Sequence, residues 1–599
     1  MNKKTSSFSL PKYLLKEAFS SVKKRYLLYI ALVIITSFEM FFALRIPELI
    51  TNISYDFYSG ASTNYQEAMT PLLVYIVILL VFAVFKHINS IMGVSLGRDL
   101  RSDFELKYTK TVSRLKWEDF ENHELEMKMD MVRRRGADGY LRLVKDLVTF
   151  VITSVMYIII YVLIVMRLSL LIGTIFLLVS IIYYIVGFYF GNKLYRTIKE
   201  HNHLNRKKNY IFHSGEDKAV HQDSIVNRLY GYLTKNWQDL NEEFLNRSIK
   251  ATNRIRLYTI IPNLMFLLIS GWLIYVVIIE IQAGRQEIGY FGLIIGTIIS
   301  YKNTMEGLST NVQWNRRDIN IYKDYLDIVN RVNEQDNNSK LLDSNYTIEF
   351  EDVSYAYYQS DRNALNKLNI TINSHETIAI VGVNGSGKTT FVNLLMELTK
   401  RYDGRIKVDG RSINDETGIL RNSASCIFQD FAEYQLTIKE NIQLGDIHRI
   451  VSDDEVIEIL KKVGLYSFVE SLPLKENTIL GQINKGTELS KGQWQRLSVA
   501  RLLANKNAKI WILDEPTAYL DPIAEIEMYE FIYSLKEDRT VIFISHRLGF
   551  AKRADRIVVF KEGHLIVNGT HEELLKILQY RHHILLESRK SKNQEQTEN

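Results

Sequence analysis

The chain is 599 residues long, has very little cysteine and carries almost no excess charge of either sign. Its single cysteine, Cys426, excludes intramolecular disulfides and any zinc site built from several cysteines. The net charge is only +6, from 74 basic and 68 acidic residues, so the basic surface of a nucleic-acid-binding protein is not indicated. The first residues, Met1 to Ser9, lack the features of a secretory signal, and we expect no N-terminal removal.

Long apolar runs are confined to the first half of the chain. A helix needs about 20 mostly apolar residues to cross the hydrocarbon core of a bilayer. Hydropathy therefore predicts a transmembrane domain over residues 1–332, with the helix breaker Pro262 inside the fifth span. The short sixth span is rich in glycine, which suits helix packing or a cavity lining, with a re-entrant segment as the alternative. The six predicted spans lie near residues 26–44, 71–92, 147–166, 168–190, 257–281 and 288–303.

The charges of the loops predict the orientation of these spans. Lys86 to Asp146 and Asn192 to Arg256 are long and rich in Lys and Arg, so the positive-inside rule places them, and both termini, in the cytoplasm. Both keep a helical pattern, which predicts two cytoplasmic helical hairpins. Pro11 to Ser21 is predicted to form an amphipathic helix on the inner membrane face. Glu39, inside span one, either faces a cavity or a partner, or it snorkels or is paired structurally.

The second half of the chain has the pattern of a soluble α/β domain. Residues 333–340 are polar without apolar periodicity and are predicted to be a linker. From 341 to 586, short apolar runs alternate with helical stretches, which is typical of a mostly parallel sheet covered by helices. Residues 587–599 form a polar tail.

A glycine-rich loop, Gly382 to Thr389, follows the apolar strand Thr377 to Val381 and opens a helix. This GxxxxGK[ST] pattern in a strand–turn–helix context predicts a phosphate-binding loop. Backbone N–H groups surround phosphate oxygens, Lys388 reaches the β- and γ-phosphates, and Thr389 ligates Mg²⁺. The candidate ATP-binding residues of this region are Gly382, Asn384, Gly385, Ser386, Gly387, Lys388, Thr389 and Thr390.

A second group of polar residues follows other apolar strands. Lys509 to Glu515 is an apolar strand that ends in two carboxylates, and the carboxyl ends of strands face the ligand crevice of an open α/β sheet. Asp514 is predicted to hold Mg²⁺ through water, and Glu515 to orient and deprotonate the attacking water. His546 follows the strand Val541 to Ile544 at a similar edge, where a lone histidine is more often structural.

These motifs, in this order, resemble an ATP-binding cassette domain: Walker A at 382–389, Gln429, the signature at 489–493, Walker B at 510–515, Asp521 and His546. With the spans ahead of it, the chain resembles an ABC exporter half-transporter. The fold that this resemblance implies is an all-α six-helix transmembrane domain with long cytoplasmic helical hairpins, followed by an α/β P-loop ATP-binding cassette domain. It also implies ATP and Mg²⁺ as cofactors, and a homodimer in which each ATP is held by one subunit's P-loop and the other's signature.

The resemblance assigns roles to individual residues. Tyr357 would lie on the adenine ring, with Tyr355 or Tyr358 as alternatives. Gln429 would sense Mg²⁺ and the γ-phosphate, His546 would contact the γ-phosphate, and Asp521 would couple the two sites. The signature residues that would reach the partner's ATP, Ser490 and Gly492 above all, are Leu489, Ser490, Lys491, Gly492 and Gln493.

Two positions depart from the family pattern. The signature is LSKGQ where LSGGQ is usual, so Lys491 replaces a glycine next to the phosphate contact. A position that needs a positive φ would be strained by roughly 1 kcal/mol or more, whereas a helix start would tolerate the lysine. Thr517 to Asp521 reads TAYLD in place of TSALD and keeps its aspartate.

Among exporters, the chain resembles the lantibiotic transporters of the nisin and subtilin type. The similarity lies in FQDF at 428–431, LTIKEN at 436–441, GQWQ at 492–495 and DPIAE at 521–525. It implies a leader-bearing modified peptide as cargo, lanthionine-forming enzymes as possible membrane-associated partners, and a bacterial cell membrane as the location. Fewer than 30 residues precede span one, so no leader-removing protease domain is expected.

Two other functions remain open for this architecture: multidrug or lipid export, and a non-exporting ATPase that acts as a sensor or gated channel. In each case the cytoplasmic hairpins are expected to dock near Gln429, through turns around Trp117 to Asn122 and Glu216 to Ser224.

Overall fold

A computed structural model describes most of the chain as two compact units. One unit comprises Met1–Leu115 with His123–Asn333, and the other comprises Lys116–Asn122 with Glu334–Asn599. The predicted linker, apart from Lys340, and the polar tail lie outside the described residues. The structure describes residues 10–60, 65–200, 202–216, 218–258, 260–332, 340–358, 360, 362–413, 418–482, 486–515, 522–536, 538–544 and 551–576.

The first unit is helical throughout its described part. Of the twelve α-helices that the structure describes before residue 333, only α4 belongs to the second unit. In chain order they are α1 (Leu10–Ser37), α2 (Glu39–Tyr58), α3 (Tyr65–Val112), α4 (Trp117–Phe120), α5 (His123–Leu141), α6 (Leu147–Met166), α7 (Leu170–Glu200), α8 (Asn202–Ser214), α9 (Lys218–Val226), α10 (Tyr230–Tyr258), α11 (Ile260–Gln282) and α12 (Gly289–Arg331).

Five helical segments among the described residues are long and apolar enough to cross a membrane. The sixth predicted span falls in α12, which is not among them because its apolar start is followed directly by polar residues such as Lys302 and Asn303. Pro262 lies in the first turn of α11, where a proline removes no helical hydrogen bond. The five segments are Lys23–Tyr58, Met69–Val112, His123–Met166, Leu170–Phe190 and Ile260–Gln282.

The start of the chain departs from the prediction. The expected separate helix at Pro11 to Ser21 is part of α1, which runs without a break from Leu10 to Ser37. A turn at Phe38 separates α1 from α2. Glu39 begins α2, and its carboxylate lies 3.5 Å from the Nζ of Lys86 in α3, so the paired interpretation of Glu39 agrees with the structure.

The glycines of the sixth predicted span pack against α2. A Cβ on Gly292 would lie 2.6 Å from the carbonyl oxygen of Pro47, and one on Gly289 would overlap Asn52. The Gly289 N–H also donates to Asn52 Oδ1 at 2.6 Å. Small residues therefore let the two backbones approach closely, which favours the helix-packing interpretation over a re-entrant segment.

Several helices extend far beyond the length of a membrane span, as the hairpin prediction requires. With 48 residues, α3 is roughly 70 Å long, and α12 has 43 residues. Beyond the apolar part of α12, the fully buried Asp318 accepts hydrogen bonds from Arg142 Nε at 2.6 Å and from Arg317 Nη2 at 3.1 Å. This buried cluster joins α12 to the chain between α5 and α6.

Arg142 begins a π-helical turn, Arg142–Asp146, that connects α5 directly to α6. A π turn holds one residue more than the α-helix around it and leaves carbonyl groups without their usual partner. Within this turn, the carbonyl of Val144 accepts a hydrogen bond from the buried Tyr26 hydroxyl. The turn is therefore integrated into the packing with α1.

The second unit contains two sheets. A four-stranded antiparallel sheet has the order β2-β1-β4-β5, and a six-stranded sheet has the order β10-β9-β3-β8-β7-β6, parallel except for β10. The strands are β1 (Thr347–Tyr355), β2 (Leu365–Asn373), β3 (Thr377–Val381), β4 (Asp403–Val408), β5 (Arg411–Ser412), β6 (Ala424–Ile427), β7 (Ile510–Asp514), β8 (Thr540–Ile544), β9 (Arg556–Lys561) and β10 (His564–Gly569).

The central strands β3, β7 and β8 are buried on both faces, which explains their continuous apolar runs. One face packs with the antiparallel sheet around Phe350, Phe391 and Phe560, and the other packs under helices that contribute Trp494. The helices of this unit after the strand β3 are α13 (Lys388–Leu395), α14 (Ile419–Ser423), α15 (Ile438–Gln443), α16 (Asp453–Lys462), α17 (Tyr466–Glu470), α18 (Lys491–Ala504), α19 (Pro522–Ser534) and α20 (His571–Leu575).

Candidate nucleotide site

The topology of the six-stranded sheet brings the predicted motifs to one edge. The glycine-rich loop follows β3, the two carboxylates end β7, and Gln429 lies two residues after β6. Strand β8 lies between β3 and β7, while β6 is the other neighbour of β7. Because these strands are parallel, their carboxyl ends lie at the same edge, where open α/β sheets bind ligands.

The glycines of the loop are required by backbone geometry. Gly385 and Gly387 have φ values of +77° and +107°, which L side chains rarely adopt. A Cβ on Gly382 would lie 2.5 Å from the carbonyl oxygen of Phe560, and one on Gly387 would lie 2.8 Å from that of Ala364. The loop therefore keeps its shape because neighbouring backbone surrounds it.

The loop offers several groups to a phosphate chain. Lys388 is buried at the start of α13, and its ammonium donates to the carbonyl oxygens of Gly382 at 2.8 Å and Val383 at 3.2 Å. Burial lowers its pKa, while Glu515 and Asp514 raise it. The hydroxyl of Ser386 is buried and has no hydrogen-bond partner among the residues that the structure describes, an arrangement that costs free energy unless a ligand supplies one. The loop thus combines the Lys388 ammonium, the unsatisfied Ser386 hydroxyl and the N-terminus of α13. These groups fit the phosphates of ATP.

The carboxylates at the end of β7 lie beside this loop. Thr389 Oγ1 donates to Asp514 Oδ2 at 3.5 Å, which joins the two predicted Mg²⁺-binding residues. Burial, and then the charge of Glu515, raises the pKa of Asp514 to about 6. A bound cation would stabilise the charged form of this buried carboxylate. Asp514 and Thr389 both offer oxygen atoms, which are the ligands that Mg²⁺ prefers.

Glu515 has an unusual backbone conformation for its position. Its φ is +49°, in the left-handed region, and its N–H donates to the carbonyl oxygen of Ile544 in β8 at 3.0 Å. Such strain persists only where the surroundings fix it, and it is concentrated at functional sites. The strain fixes the direction in which Glu515 leaves the sheet, next to Asp514.

Among the other predicted site residues, the structure describes Gln429 and Asn384. Gln429 is exposed beyond β6, and Ile427 of that strand pairs with Leu513 of β7, so Gln429 follows the sheet edge next to Asp514. Asn384 is an exposed residue of the loop. Asp521, with the whole TAYLD segment, and His546 lie outside the described residues.

The three candidate adenine-binding tyrosines have different environments. Tyr355 is buried in the core, which argues against the alternative that placed it on the adenine ring. Tyr358 is exposed, with the Arg401 guanidinium 5.8 Å from its ring centre. Tyr357 is half-buried, and its hydroxyl lies 2.9 Å from Thr390 Oγ1, directly after the phosphate-binding loop. That contact places the Tyr357 hydroxyl next to the end of the phosphate-binding loop.

The signature segment starts helix α18. Ser490 is the N-cap and forms a capping box with Gln493, while Leu489 precedes it and Gly492 is the second helical residue. Lys491 is the first residue of the helix, and its φ is not positive. The lysine at this position is therefore not strained, and of the two possibilities that the sequence left open, the helix start is correct.

Lys491 also forms a contact that the sequence did not predict. Its Nζ lies 2.7 Å from Glu433 Oε1, and the two side chains are 61% and 35% exposed. Glu433 lies 58 positions away in sequence and only four residues after Gln429. No sequence pattern marked Glu433 as functional, because a lone acidic residue in a loop carries no periodic signal.

Helix α4 lies in the predicted docking turn Trp117 to Asn122 and belongs to the second unit. Glu118 Oε1 accepts hydrogen bonds from the Thr399 hydroxyl, from the Lys400 N–H at 2.9 Å and from the Arg401 N–H at 3.3 Å. The contact therefore involves the residues that follow α13. The second predicted turn, Glu216 to Ser224, falls mostly in the short helix α9 of the first unit.

Comparison with known proteins agrees with this geometry. A family model described as ABC transporter matches residues 365–518. The subtilin transport ATP-binding protein of Bacillus subtilis is 29% identical over 478 residues, which cover 78% of this chain and 77% of that protein. The nisin transport ATP-binding protein of Lactococcus lactis subsp. lactis is 25% identical over 572 residues, or 93% of each.

Two further similarities concern a different cargo class and the fold. A putative multidrug export ATP-binding/permease protein of Staphylococcus aureus is 32% identical over 349 residues, which cover 57% of this chain and 59% of that protein. The solved structure of a bacterial Atm1-family ABC exporter with ATP bound has a TM-score of 0.78 and 20% identity, and the match covers 95% of this chain and 99% of that one.

Proposed function

We propose that the chain exports a modified, leader-bearing peptide of the lantibiotic type across a bacterial cell membrane, as an ATP-hydrolysing ABC exporter in which a multi-pass membrane domain is fused to the ATP-binding cassette. The observation that carries the proposal is the similarity to two transporters named for subtilin and nisin, one of which matches 93% of the chain. The FQDF, LTIKEN and GQWQ segments that prompted the same expectation lie in the cassette.

The proposed catalytic cycle uses the residues at the sheet edge. Lys388 and the N–H groups of its loop bind the β- and γ-phosphates, and Tyr357 lies against the adenine. Thr389, Asp514 and Gln429 would hold Mg²⁺, which would supply positive charge to the phosphates when bound. Glu515 orients and deprotonates the attacking water, and His546, outside the described residues, contacts the γ-phosphate.

The site also needs a second copy of the chain. In a head-to-tail homodimer, Ser490 and Gly492 of one subunit meet the ATP that is held by Lys388 of the other, and Asp521 couples the two sites. ATP then favours the closed dimer because only that state presents both surfaces to one triphosphate, and a ligand shifts a conformational equilibrium only through such a difference. Opening and closing pass to the spans through the cytoplasmic hairpins, with both termini in the cytoplasm.

The decisive experiment measures ATP turnover and transport by the full-length protein in proteoliposomes. The candidate cargoes are a leader-bearing lantibiotic precursor, the same peptide without its leader, and a hydrophobic dye, with Glu515→Gln as the inactive control. We expect stimulation and uptake with the leader-bearing peptide. Absence of any response to peptide would refute the proposal.

Multidrug export is the second candidate, because the Staphylococcus aureus relative with 32% identity is named as a putative multidrug exporter. In the same assay it predicts stimulation by the dye and indifference to the leader. Lanthionine-forming enzymes as partners belong only to the peptide proposal, and co-purification of such enzymes with the exporter from its native membrane tests that part.

A further inference from the structure

The start of the signature helix is joined to the segment that follows Gln429. Lys491, the first residue of α18, lies 2.7 Å from the carboxylate of Glu433. The N-terminus of a helix carries partial positive charge, so a lysine there is unfavourable unless an acidic group lies close by. Glu433 supplies that charge and interacts favourably with both the ammonium and the helix terminus.

The same helix contacts this segment again near its other end. Arg501 donates from Nη1 to the carbonyl oxygen of Ala432 at 2.8 Å and from Nη2 to Asn441 Oδ1 at 2.6 Å. Its guanidinium also lies 4.9 Å from the ring centre of Tyr434. Lys491 and Arg501 are ten residues apart, or about 15 Å along a helix. Residues 432–434 are therefore attached to α18 at two separate places.

We propose that Lys491 is a positioning residue that links the two ATP sites through Glu433. The inference rests on the proposed homodimer, in which Gln429 serves the chain's own ATP site and the start of α18 serves the partner's. A displacement of the segment after Gln429 moves Glu433, and the ion pair passes that displacement to Ser490 and Gly492. The glycine usual at position 491 has no side chain with which to make this link.

An ion pair of this kind has a limited and measurable strength. Both side chains are partly exposed, so the pair is worth little free energy and is weakened by salt. Its effect is therefore expected on the cooperativity of the two sites and on the half-saturating ATP concentration. The expected change in half-saturating ATP is about two- to fivefold.

The competing role for Lys491 is a direct contact between its ammonium and the partner's phosphates. In that case a positive charge is needed at position 491 itself, whatever residue occupies position 433. Exchange of the two charges distinguishes the roles, since it restores an ion pair but removes the ammonium from the signature.

The test uses the full-length protein in proteoliposomes and compares Lys491→Glu, Glu433→Lys and the double variant. We expect each single variant to lower the Hill coefficient of ATP hydrolysis and raise the half-saturating ATP, the double variant to restore both, and the differences to shrink at high salt. Persistent impairment of the double variant, or single variants indistinguishable from the parent, would overturn the proposal.

Two controls make these outcomes specific. The same exchange at Glu458 and Lys462, an exposed ion pair on α16 with a distance of 2.7 Å, should leave the Hill coefficient unchanged. Retention of ATP by the Glu515→Gln variant measures whether the proposed dimer forms, in which each ATP is bound by the phosphate-binding loop of one subunit and the signature of the other. If it does not, the proposed dimer is at fault; if it does and the charge variants have no effect, only the role of Lys491 is wrong.

Discussion

Asp514 Oδ2 accepts a hydrogen bond from Thr389 Oγ1 at 3.5 Å, so the end of β7 is joined to the first turn of α13. The contact brings together the two oxygen donors that the proposed Mg²⁺ site needs, although 125 positions separate them in the chain. The positive charge of Lys388 lowers the pKa of this buried carboxylate, but burial and the charge of Glu515 raise it by more.

The first prediction concerns the titration of Asp514. Its pKa is raised from an ordinary 3.8 to about 6, so the protonated form is favoured in the folded protein by about 3 kcal/mol. Protonation of Asp514 therefore stabilises the folded protein. This contribution to the free energy of unfolding is complete below the ordinary pKa of 3.8 and is lost as the pH rises through about 6. The melting temperature of nucleotide-free protein in detergent should therefore fall between about pH 4 and about pH 6, and Asp514→Asn should remove that part of the slope. Parallel profiles for the two proteins would contradict the shift.

The second prediction concerns Glu515 as the base. Glu515→Gln should lower ATP turnover by about 10²- to 10⁴-fold, because an amide cannot accept the proton of the attacking water. Binding of ATP should persist, since the phosphate-binding loop is untouched. A radiolabelled-ATP binding assay beside a phosphate-release assay measures both, and unchanged transport would show that Glu515 is not the base.

The third prediction concerns the shape of the phosphate-binding loop. Gly387→Ala should cost about 1–3 kcal/mol and abolish ATP binding, since φ is +107° and the new Cβ would lie 2.8 Å from the Ala364 carbonyl oxygen. The control is Gly410→Ala in the β4–β5 turn, where φ is +74° but nothing lies within 4 Å of the new Cβ. Thermal melting and ATP binding should separate the two variants; equal ATP binding would refute the role of the close packing.

The fourth prediction concerns the contact of α4 with the cassette. Glu118→Ala removes the acceptor of the Thr399, Lys400 and Arg401 donors, and bonds to a charged group are worth about 1.5–3 kcal/mol each. We expect basal ATP hydrolysis to persist while stimulation by cargo is lost, because α4 is connected through the chain to α3 and α5. Glu458→Ala, on the surface of α16, is the matched control. Full stimulation of Glu118→Ala would argue against a coupling role.

The fifth prediction concerns the buried cluster of the first unit. Asp318→Ala leaves Arg142 and Arg317 without their shared carboxylate and should destabilise the protein by about 3–5 kcal/mol. Asp99→Ala, which breaks the exposed pair with Arg25, should cost no more than about 1 kcal/mol. Midpoints of thermal denaturation in detergent provide the comparison, and similar losses for the two variants would contradict the inference.

The sequence predicted the parts of the molecule whose signal is local. Two such signals are the loop from Gly382 to Thr389 and the strand that ends at Asp514. In each, an apolar strand is followed by residues of a special kind, glycines that allow an unusual backbone in the first and carboxylates that suit a ligand in the second. The long helices followed from hydropathy and polar periodicity. Boundaries were less certain, since α1 continues through the predicted break after Ser21 and the apolar part of α12 fades into polar residues.

Contacts between distant residues could not be predicted in this way. Glu433 and Glu118 each contact a partner far along the chain, and only the fold brings those groups together. The sequence left Tyr355 as an alternative adenine-binding residue. The register of β1 shifts twice between Phe350 and Tyr355, so simple alternation along the strand does not show which tyrosine faces the core.

The π-helical turn at Arg142–Asp146 has a consequence for how this chain can change in length. Loss of one residue from an ordinary helix rotates everything beyond it by about 100°, which exchanges buried and exposed faces. Within a π turn, the same loss leaves a regular α-helix on both sides with their faces aligned. A one-residue deletion at the partly exposed Asp146 is therefore compatible with the packing of both α5 and α6, whereas the same deletion two turns later, inside α6, is not.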